Sequence, residues 1–253
     1  MIHSFLLIGQ SNAAGRGFLE EATPLDHCNG RLKVQRNGLW LNMFRPVNPD
    51  RSFSGTCLAE SFAKEYAMEH PLCEVGIIPC ADGGTTILQW QPGEILFDNA
   101  LNCARLAMRT STLKGILWHQ GEGDCSEEKC ELYRERFERL MDTLRCELGM
   151  PELPVLVGAL GDYLPKRLES PNLGAYYQSI NAVLRSIGNE YHQCAFVGAE
   201  GLGSNPDNLH FSAKALHEFG IRYYQAYRAF DEADPSDEEG ESSSTERSAM
   251  ELL

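Results

Sequence analysis

Short apolar runs alternate with longer amphipathic stretches along most of this chain. The runs are only about four to eight residues long, with glycine or proline near their ends, so each predicts a β-strand: 5–8, 73–80, 114–120, 154–160 and 194–198. Between them, apolar residues recur at helical spacing, as Leu58, Phe62 and Tyr66 do, and predict helices over 55–70, 98–111, 126–148, 172–188 and 212–230. Strands that are apolar almost throughout, alternating with helices, indicate a parallel sheet covered by helices on both faces.

Three segments depart from this alternation. Residues 31–36 and 39–42 alternate apolar with polar positions on either side of Asn37-Gly38, a preferred two-residue turn, and predict a small exposed β-hairpin. Residues 44–54 contain two prolines and several polar residues, and predict an irregular loop. From about Pro235 onward the chain is mostly Ser, Glu, Asp and Gly, which favours disorder. We therefore expect one α/β domain over residues 1–231 and a disordered acidic tail over residues 232–253.

The composition is that of an ordinary globular protein. The chain has 253 residues, of which 43% are hydrophobic and 23% charged, enough for one large domain with a substantial core. The net charge of −14 is concentrated at one end, because the segment from Asp231 onward holds nine acidic residues and one basic residue. The rest of the chain is moderately acidic, which argues against nucleic acid as a partner.

Cysteine spacing and hydropathy exclude two further classes. The nine cysteines form no C-x-x-C pair and no zinc-ligand pattern, so they predict reduced, mostly buried thiols and no metal site. No window approaches the roughly 18 apolar residues of a membrane span. The first apolar run leads directly into a candidate active loop and not into a signal-peptide cleavage site. We therefore expect a cytoplasmic protein without a membrane partner.

The first predicted strand ends abruptly in Gly9-Gln10-Ser11-Asn12. A serine between small residues at this point lies at the carboxyl edge of the sheet, where open α/β folds bind their ligands. The sequence is close to the Gly-x-Ser-x-Gly nucleophile elbow, with Ala13 in place of the second glycine. Taken alone, Ser11 fits a helix cap or a phosphate-binding turn equally well.

The Ser11 loop is the first of four strand-end loops, and three later ones supply the other parts of an acyl-transfer site: the second over 82–86, the third over 118–124 and the fourth over 206–211. A serine hydroxyl needs a base within hydrogen-bond reach and a carboxylate that orients the base, and His210 and Asp207 can fill these roles. The negative charge of a tetrahedral intermediate needs fixed donors. The backbone N–H groups of Ser11 and of Gly83 or Gly84 can provide them, with the side-chain amide of Gln120 as a third.

Two other chemistries explain fewer residues. Glu122 and Asp124 are carboxylates in the third loop, but a glycosidase reading leaves the serine and histidine unexplained. The glycine-rich first loop carries neither a P-loop sequence nor Gly-x-Gly-x-x-Gly, which argues against nucleotide binding. We expect Glu122 mainly to hold loops together through hydrogen bonds to backbone. Trp40 and Trp90 fit a sugar platform or ordinary packing equally well.

Four blocks occur in one order along the chain: Gly9-Gln10-Ser11-Asn12, Gly83-Gly84-Thr85-x-Ile87-x-x-Trp90, Trp118-His119-Gln120-Gly121-Glu122 and Asp207-x-x-His210. Over about residues 4–228 the chain thereby resembles the sialate O-acetylesterase / carbohydrate esterase family 6 branch of the SGNH (GDSL-like) hydrolases. The resemblance implies a flavodoxin-like, three-layer α/β/α sandwich with a central parallel five-stranded sheet. It also implies an esterase that removes acetyl groups from sugar hydroxyls.

The resemblance extends to individual residues. It implies Ser11 as nucleophile, His210 as base and Asp207 as its partner, with a glycine N–H of the second block in the oxyanion hole. Gln120 would replace the asparagine of the wider superfamily in that hole. Two segments depart from the family pattern and are expected to change the shape of the sugar pocket: Ser52-Phe53-Ser54-Gly55, where Gly-x-Gly-Pro is usual, and Glu122-Gly123-Asp124, where Glu-Ser-Asp is common.

These features predict a serine esterase that acts on a small acetylated saccharide, of the sialic acid or xylo-oligosaccharide type, without a cofactor. Candidates for contact with the substrate are Gln10, Asn12, Thr85, His119 and Glu122. Two alternatives stay open at this point. One is a general short-chain acyl esterase or thioesterase, and the other is a saccharide-binding protein without catalysis. The oligomeric state is not predicted.

Overall fold

The computed structural model describes residues 1–25 and 28–231. The predicted tail, residues 232–253, therefore lies outside the described residues. Seven strands form one sheet: β1 (Ile2–Gly9), β2 (Leu32–Arg36), β3 (Leu39–Asn42), β4 (Glu74–Pro79), β5 (Thr112–His119), β6 (Val155–Gly158) and β7 (Cys194–Val197). The α-helices are α1 (Ser11–Ala14), α2 (Leu58–Glu69), α3 (Ile95–Ala107), α4 (Glu127–Leu148), α5 (Pro171–Glu190) and α6 (Ala213–Asp231). Short 3-10 turns lie at Leu19–Glu21, Cys28–Gly30, Ile87–Trp90, Glu122–Asp124 and Leu164–Lys166.

The predicted α/β class is confirmed. The strands run in the order β3-β2-β4-β1-β5-β6-β7, and the five from β4 to β7 are all parallel. These five have the flavodoxin-like order, in which the chain reverses direction along the sheet between β1 and β5. Helix α2 packs against α6, while α4 packs between α3 and α5, so helices form two layers around the sheet.

The sheet is larger than the five strands that the pattern predicts. The hairpin at Asn37-Gly38 forms as predicted, but it is not a separate exposed unit. Strand β2 joins the sheet as a parallel neighbour of β4, with Val34 opposite Ile77. The physical reason is that Leu32 and Val34 are fully buried, so one face of β2 belongs to the core. Only β3 remains as the largely exposed edge.

The first strand is anchored by aromatic rings. Phe5 is fully buried, and its ring centroid lies 4.7 Å from Phe62 and 5.0 Å from Tyr66 of α2, and 5.2 Å from Tyr227 of α6. All three contacts are edge-to-face, the arrangement in which aromatic quadrupoles attract each other. The packing therefore fixes β1, and the loop that follows it, against both helices of this layer.

Gly9 explains why the chain can turn sharply after β1. Its φ is +125°, and an added Cβ would lie 2.1 Å from the carbonyl oxygen of His119 at the end of β5. No other residue could adopt this conformation at this distance. Gln10 N–H then donates to that same carbonyl at 2.9 Å, and α1 begins at Ser11. The serine is thereby placed where the strand order reverses, which is where ligands bind in such sheets.

Two further findings concern the chemistry of the chain. All nine cysteines are free thiols, and Cys146 is the exposed one among them. Within residues 1–25 and 28–231, no helix has both the length and the apolar character that a membrane crossing requires.

Candidate active site

The structure brings Ser11, His210 and Asp207 together from opposite ends of the chain. Ser11 begins α1, and the other two residues lie in the loop before α6. His210 Nε2 is 3.0 Å from Ser11 Oγ, and His210 Nδ1 is 2.6 Å from Asp207 Oδ2. Because a carboxylate only accepts hydrogen bonds, Nδ1 carries the proton in this pair. The lone pair of Nε2 is then free to accept the Ser11 hydroxyl proton.

Asp207 is fixed and kept ionised by its own turn. Its Oδ1 accepts the backbone N–H groups of Leu209 at 3.0 Å and His210 at 3.1 Å. Burial by itself raises the pKa of Asp207, but these two backbone donors and the His210 ring outweigh it, so the pKa lies below its ordinary value. A carboxylate that stays negative can stabilise a protonated His210.

Asn12 connects three of the four loops. Its Nδ2 donates to Glu122 Oε1 at 2.5 Å and to the Leu209 carbonyl at 3.2 Å, and its Oδ1 accepts the Phe211 N–H at 3.0 Å. The residue is only 1% exposed. The sequence suggested Asn12 as a substrate contact, but its amide is already used within the protein. Its position makes it a clamp that holds the Ser11 loop against the His210 loop.

The two glycines of the second loop differ in their hydrogen bonding. An added Cβ on Gly83 would lie 3.4 Å from Ser11 Cβ, so this turn runs alongside the serine. Gly83 N–H donates to Asp50 Oδ2 at 2.8 Å. In contrast, Gly84 N–H has no acceptor among the described residues, and neither has Ser11 N–H, which stands at the first position of α1. These two N–H groups are therefore the ones available to an anion.

A buried ion pair that sequence reasoning missed supports this turn. Arg16 and Asp50 form two parallel hydrogen bonds of 2.9 and 2.7 Å, with side chains only 5% and 4% exposed. Burial would raise the pKa of Asp50, but the Arg16 guanidinium and the Ser54 hydroxyl bind the carboxylate and lower its pKa overall. Arg16 follows the serine motif directly, whereas Asp50 lies in the irregular loop, and only the fold shows that they meet.

Gln120 is buried behind the loops and is absent from the cleft lining, contrary to the prediction that it faces the oxyanion. The side chain is fully buried, and Nε2 donates to Gln10 Oε1 at 3.1 Å, Thr85 O at 3.2 Å and Asp124 Oδ2 at 2.6 Å. Its Oε1 accepts the Tyr133 hydroxyl at 2.9 Å. An amide with two hydrogens and three acceptors has no donor to spare.

Gln10 has the opposite arrangement. It lines the cleft beside Ser11, and its Oε1 accepts three donors: Gln120 Nε2 at 3.1 Å, Gly121 N–H at 3.3 Å and Gly123 N–H at 3.2 Å. Its Nε2 has no acceptor in the part of the chain that the structure describes. Gln10 therefore keeps its place as a candidate for substrate contact.

Thr85 and His119, two further predicted contacts, are turned into the protein. Thr85 is 2% exposed, donates to the Asp82 carbonyl at 2.8 Å and accepts Trp90 Nε1 at 3.1 Å. His119 is 1% exposed, bonds to the Ala159 carbonyl at 3.1 Å and packs edge-to-face on Phe211. Since neither lines the cleft, we assign them no substrate contact.

The two tryptophans also belong to the packing of the protein. Trp90 is fully buried, with its ring 5.8 Å from that of Trp118. Trp40 bonds to Thr110, just before β5 begins, and therefore lies at the end of the sheet away from Ser11. Of the two readings that the sequence left open, ordinary packing is the one that the structure favours.

Ser11 and His210 open into a cleft of about 550 Å³. Phe53 and Gly123, from the two segments that depart from the family pattern, both line it. Phe53 is 69% exposed, and the Arg16 guanidinium lies 5.3 Å from its ring centroid. Arg167, which donates to the Asp207 carbonyl at 2.8 Å, forms another part of the wall.

Glu122 also lines this cleft, and its bonding differs from the prediction. Its Oε1 is held by the Asn12 side chain at 2.5 Å, and not by backbone N–H groups. Its Oε2 is buried and has no hydrogen-bond partner among the residues that the structure describes. In the described ranges, no group of three or more His, Cys, Asp or Glu side chains could hold a metal ion.

The whole chain is similar to several known proteins. A sequence model of the family described as "Carbohydrate esterase, sialic acid-specific acetylesterase" matches residues 1–229. A "Probable carbohydrate esterase" of Arabidopsis thaliana is 28% identical over 250 residues, which cover 88% of this chain and 89% of that protein. A crystal structure of a protein from Arabidopsis thaliana superposes with a TM-score of 0.78 at 27% identity, covering 90% of this chain and 98% of that one. The crystal structure of NanS shares the fold, with a TM-score of 0.72 at 17% identity over 92% of this chain and 98% of that one.

Proposed function

Because the chain belongs to the carbohydrate esterase family of sialic acid-specific acetylesterases, we propose that it is a serine O-acetylesterase that releases acetate from a small acetylated saccharide. The family makes it an esterase. The proposal adds the serine mechanism, the residues and the size of the substrate. A cleft of about 550 Å³ is large enough for one or two sugar rings and opens directly onto Ser11.

The first half of the reaction uses the hydrogen-bonded chain of three residues. His210 Nε2 takes the proton of Ser11 Oγ as the oxygen attacks the acetyl carbonyl carbon. The carbonyl π electrons move to its oxygen, which becomes an oxyanion. Asp207 stabilises the protonated His210 and keeps its ring in place.

The oxyanion is bound by backbone donors. We assign Ser11 N–H and Gly84 N–H to it, because neither has an acceptor in the described part of the chain while Gly83 N–H is bound to Asp50. When the intermediate collapses, His210 gives its proton to the departing sugar oxygen, and acetyl-Ser11 remains. Water, deprotonated by His210, then attacks this ester, and release of acetate restores Ser11.

One observation carries the proposal: Ser11 Oγ, His210 and Asp207 form an unbroken line of hydrogen bonds of 3.0 and 2.6 Å at the wall of the cleft. A saccharide-binding protein without catalysis would have no use for this alignment. The cleft alone does not separate a sugar acetylesterase from a general short-chain esterase or thioesterase, so the assay must do so.

The test is acetate release from acetylated sialic acids and acetylated xylo-oligosaccharides, with wild type and Ser11→Ala side by side. We expect Ser11→Ala to abolish turnover and to prevent labelling by a serine-directed phosphonate, because both reactions need the Oγ nucleophile. Ser179→Ala, at an exposed position of α5, is the matched control and should behave like wild type. A wild-type protein that the phosphonate leaves unlabelled would refute the mechanism. Faster cleavage of butyryl esters or acyl thioesters than of any sugar acetate would favour the general esterase.

A further inference from the structure

Phe53 is the one aromatic side chain among the cleft-lining residues that the structure describes. It is 69% exposed, whereas Cys125 and Leu173, two other apolar residues of the lining, are only 7% exposed. Most of the remaining wall consists of polar or charged side chains and glycines. Phenylalanine is usually buried, and ligand clefts use such apolar surfaces for contact area and the polar groups around them for orientation. Phe53 is therefore the largest open apolar surface of the cleft.

The turn that carries Phe53 is fixed by hydrogen bonds. Ser54 N–H donates to the Arg51 carbonyl at 3.1 Å, and Arg51 N–H donates to Ser54 Oγ at 3.0 Å. The Ser54 hydroxyl in turn donates to Asp50 Oδ1 at 2.7 Å, and Oδ2 of the same carboxylate accepts Gly83 N–H at 2.8 Å. Phe53 is therefore held through the carboxylate that also positions the glycine turn of the second loop.

Arg16 covers one side of the Phe53 ring. Its guanidinium carbon lies 5.3 Å from the ring centroid, and the buried ion pair with Asp50 holds it there. Since 69% of the side chain is exposed, the rest of the ring surface is open. A Cβ added to Gly83 would lie 2.5 Å from Arg16 Nη2 and 3.4 Å from Ser11 Cβ. Arg16 and Gly83 thus bridge the distance between the ring and the nucleophile, which opens into the same cleft.

We propose that Phe53 is the platform on which the sugar ring of the acetylated substrate rests. The assignment depends on the proposed esterase function and makes Phe53 a specificity-determining residue for it. A pyranose ring has a face of C–H groups and carries its hydroxyls mainly at the rim. The C–H face can pack on the negative face of the aromatic ring and remove apolar surface from water, while the hydroxyls meet the polar wall. Phe53 thereby takes the role that the sequence left open for Trp40 and Trp90.

Esters with and without a ring separate a platform from a merely structural residue. The ring esters are the acetylated sialic acids and xylo-oligosaccharides of the assay above, and the ring-free ester is glycerol monoacetate. We expect Phe53→Ala to lower kcat/KM on the ring esters about tenfold, mainly through a higher KM, because the contact exists in the ground state as well as in the transition state. On glycerol monoacetate the variant should stay within about twofold of wild type, since no ring contact is lost. Phe53→Tyr keeps the flat ring and should restore the wild-type KM.

Phe44→Ala is the matched control. The Phe44 ring is 43% exposed and has the Arg36 guanidinium 5.5 Å from its centroid, but it does not line the cleft, so this variant should match wild type on every ester. An unchanged KM of Phe53→Ala on the ring esters would overturn the platform while the proposed function stands. An equal loss on glycerol monoacetate would also overturn it, because Phe53 would then act through Arg16 on the glycine turn. If wild type releases acetate from no ring ester in a Ser11-dependent way, the proposed function itself fails, and the platform fails with it.

Discussion

At the scale of single residues, the site is held by buried polar side chains that satisfy one another. Gln120 contacts Gln10, Asp124 and Tyr133 at once, so a single amide joins the first loop, the third loop and α4. Networks of this kind are rigid when every member is satisfied. Asp124 is the exception, because its Oδ2 accepts Ile87 N–H and Gln120 Nε2 while Oδ1 has no partner within residues 1–25 and 28–231.

Asp124 gives a prediction about stability and pH. Burial raises the pKa of Asp124 above its ordinary value, although the Gln120 and Ile87 donors act against it. The folded state therefore binds the proton more tightly than the unfolded state, and wild type loses stability as the pH rises from the unfolded pKa through the folded pKa. Asp124→Asn can still accept both hydrogen bonds and carries no charge. We expect the variant to be at least as stable as wild type at pH 7, measured by urea unfolding.

The pH dependence separates charge from packing. The advantage of Asp124→Asn should shrink as the pH is lowered towards the ordinary carboxyl range, where wild-type Asp124 is protonated as well. A variant that is destabilised by the same amount at every pH would show that the amide disturbs the network, and that the buried charge is not what matters.

For single residues, the sequence predicted which residue types form the site better than it predicted where their side chains point. Asp207-x-x-His210 lies within one turn, so its spacing alone indicates that the two side chains can meet. Arg16 and Asp50 are separated by a hairpin, and Asn12 and Glu122 by four strands, so their contacts depend on the whole sheet. The orientation of Gln120 was wrong for the same reason. A residue type tells which hydrogen bonds are available, but the packing behind the loop decides where the amide points.

At the scale of elements, the site depends on how closely α6 packs on α2. Gly220 lies in α6, and an added Cβ there would come within 2.0 Å of Leu58 O and 2.1 Å of Ser61 Oγ. A glycine inside a helix normally weakens it. Its presence here indicates that the close approach of α6 to α2 stabilises the protein more than a better helix former at this position would. Because α6 begins three residues after His210, the packing of α6 against α2 also determines the position of His210.

Gly220→Ala should therefore destabilise the protein, although alanine is the better helix former. We expect a loss of about 2–3 kcal/mol from overpacking and a fall in Tm of roughly 5–10 °C, measured by thermal unfolding. Gly203→Ala is the matched control, since the nearest atom to its added Cβ is Ser212 Oγ at 4.0 Å. If the two variants have the same Tm, α2 and α6 can move apart enough to accommodate the added methyl group, and the prediction is wrong.

The pattern of apolar positions predicted each central strand and long helix, because both periods are local properties of the chain. It did not predict that the hairpin joins the sheet. Residues 32–36 alternate as a half-exposed strand does, and alternation records only that one face is buried. Whether that face packs on its own or beside β4 depends on a crossover of several dozen residues, which no local period contains.

At the scale of the whole molecule, the charge is unevenly divided between the fold and the end of the chain. The family match ends at residue 229 and α6 ends at Asp231, while the residues after Asp231, eight acidic and one basic, carry half of the net charge of −14. The site residues all fall within the matched part. We therefore propose that residues 1–231 are sufficient for folding and for esterase activity.

Two truncations test where the folding unit ends. A chain that stops after Asp231 keeps Tyr227, whose ring lies 5.2 Å from Phe5 of the first strand, and we expect wild-type Tm and kcat/KM. A chain that stops after Ala226 loses this buried ring, which should cost about 3–5 kcal/mol and lower the Tm and the yield of folded protein. If the chain that stops after Asp231 also fails to give folded, active enzyme, residues 232–253 contribute to the fold. The comparison tests whether the end of α6 stabilises β1 through the contact between Tyr227 and Phe5. Because β1 leads directly to Ser11, this contact also supports the position of the nucleophile.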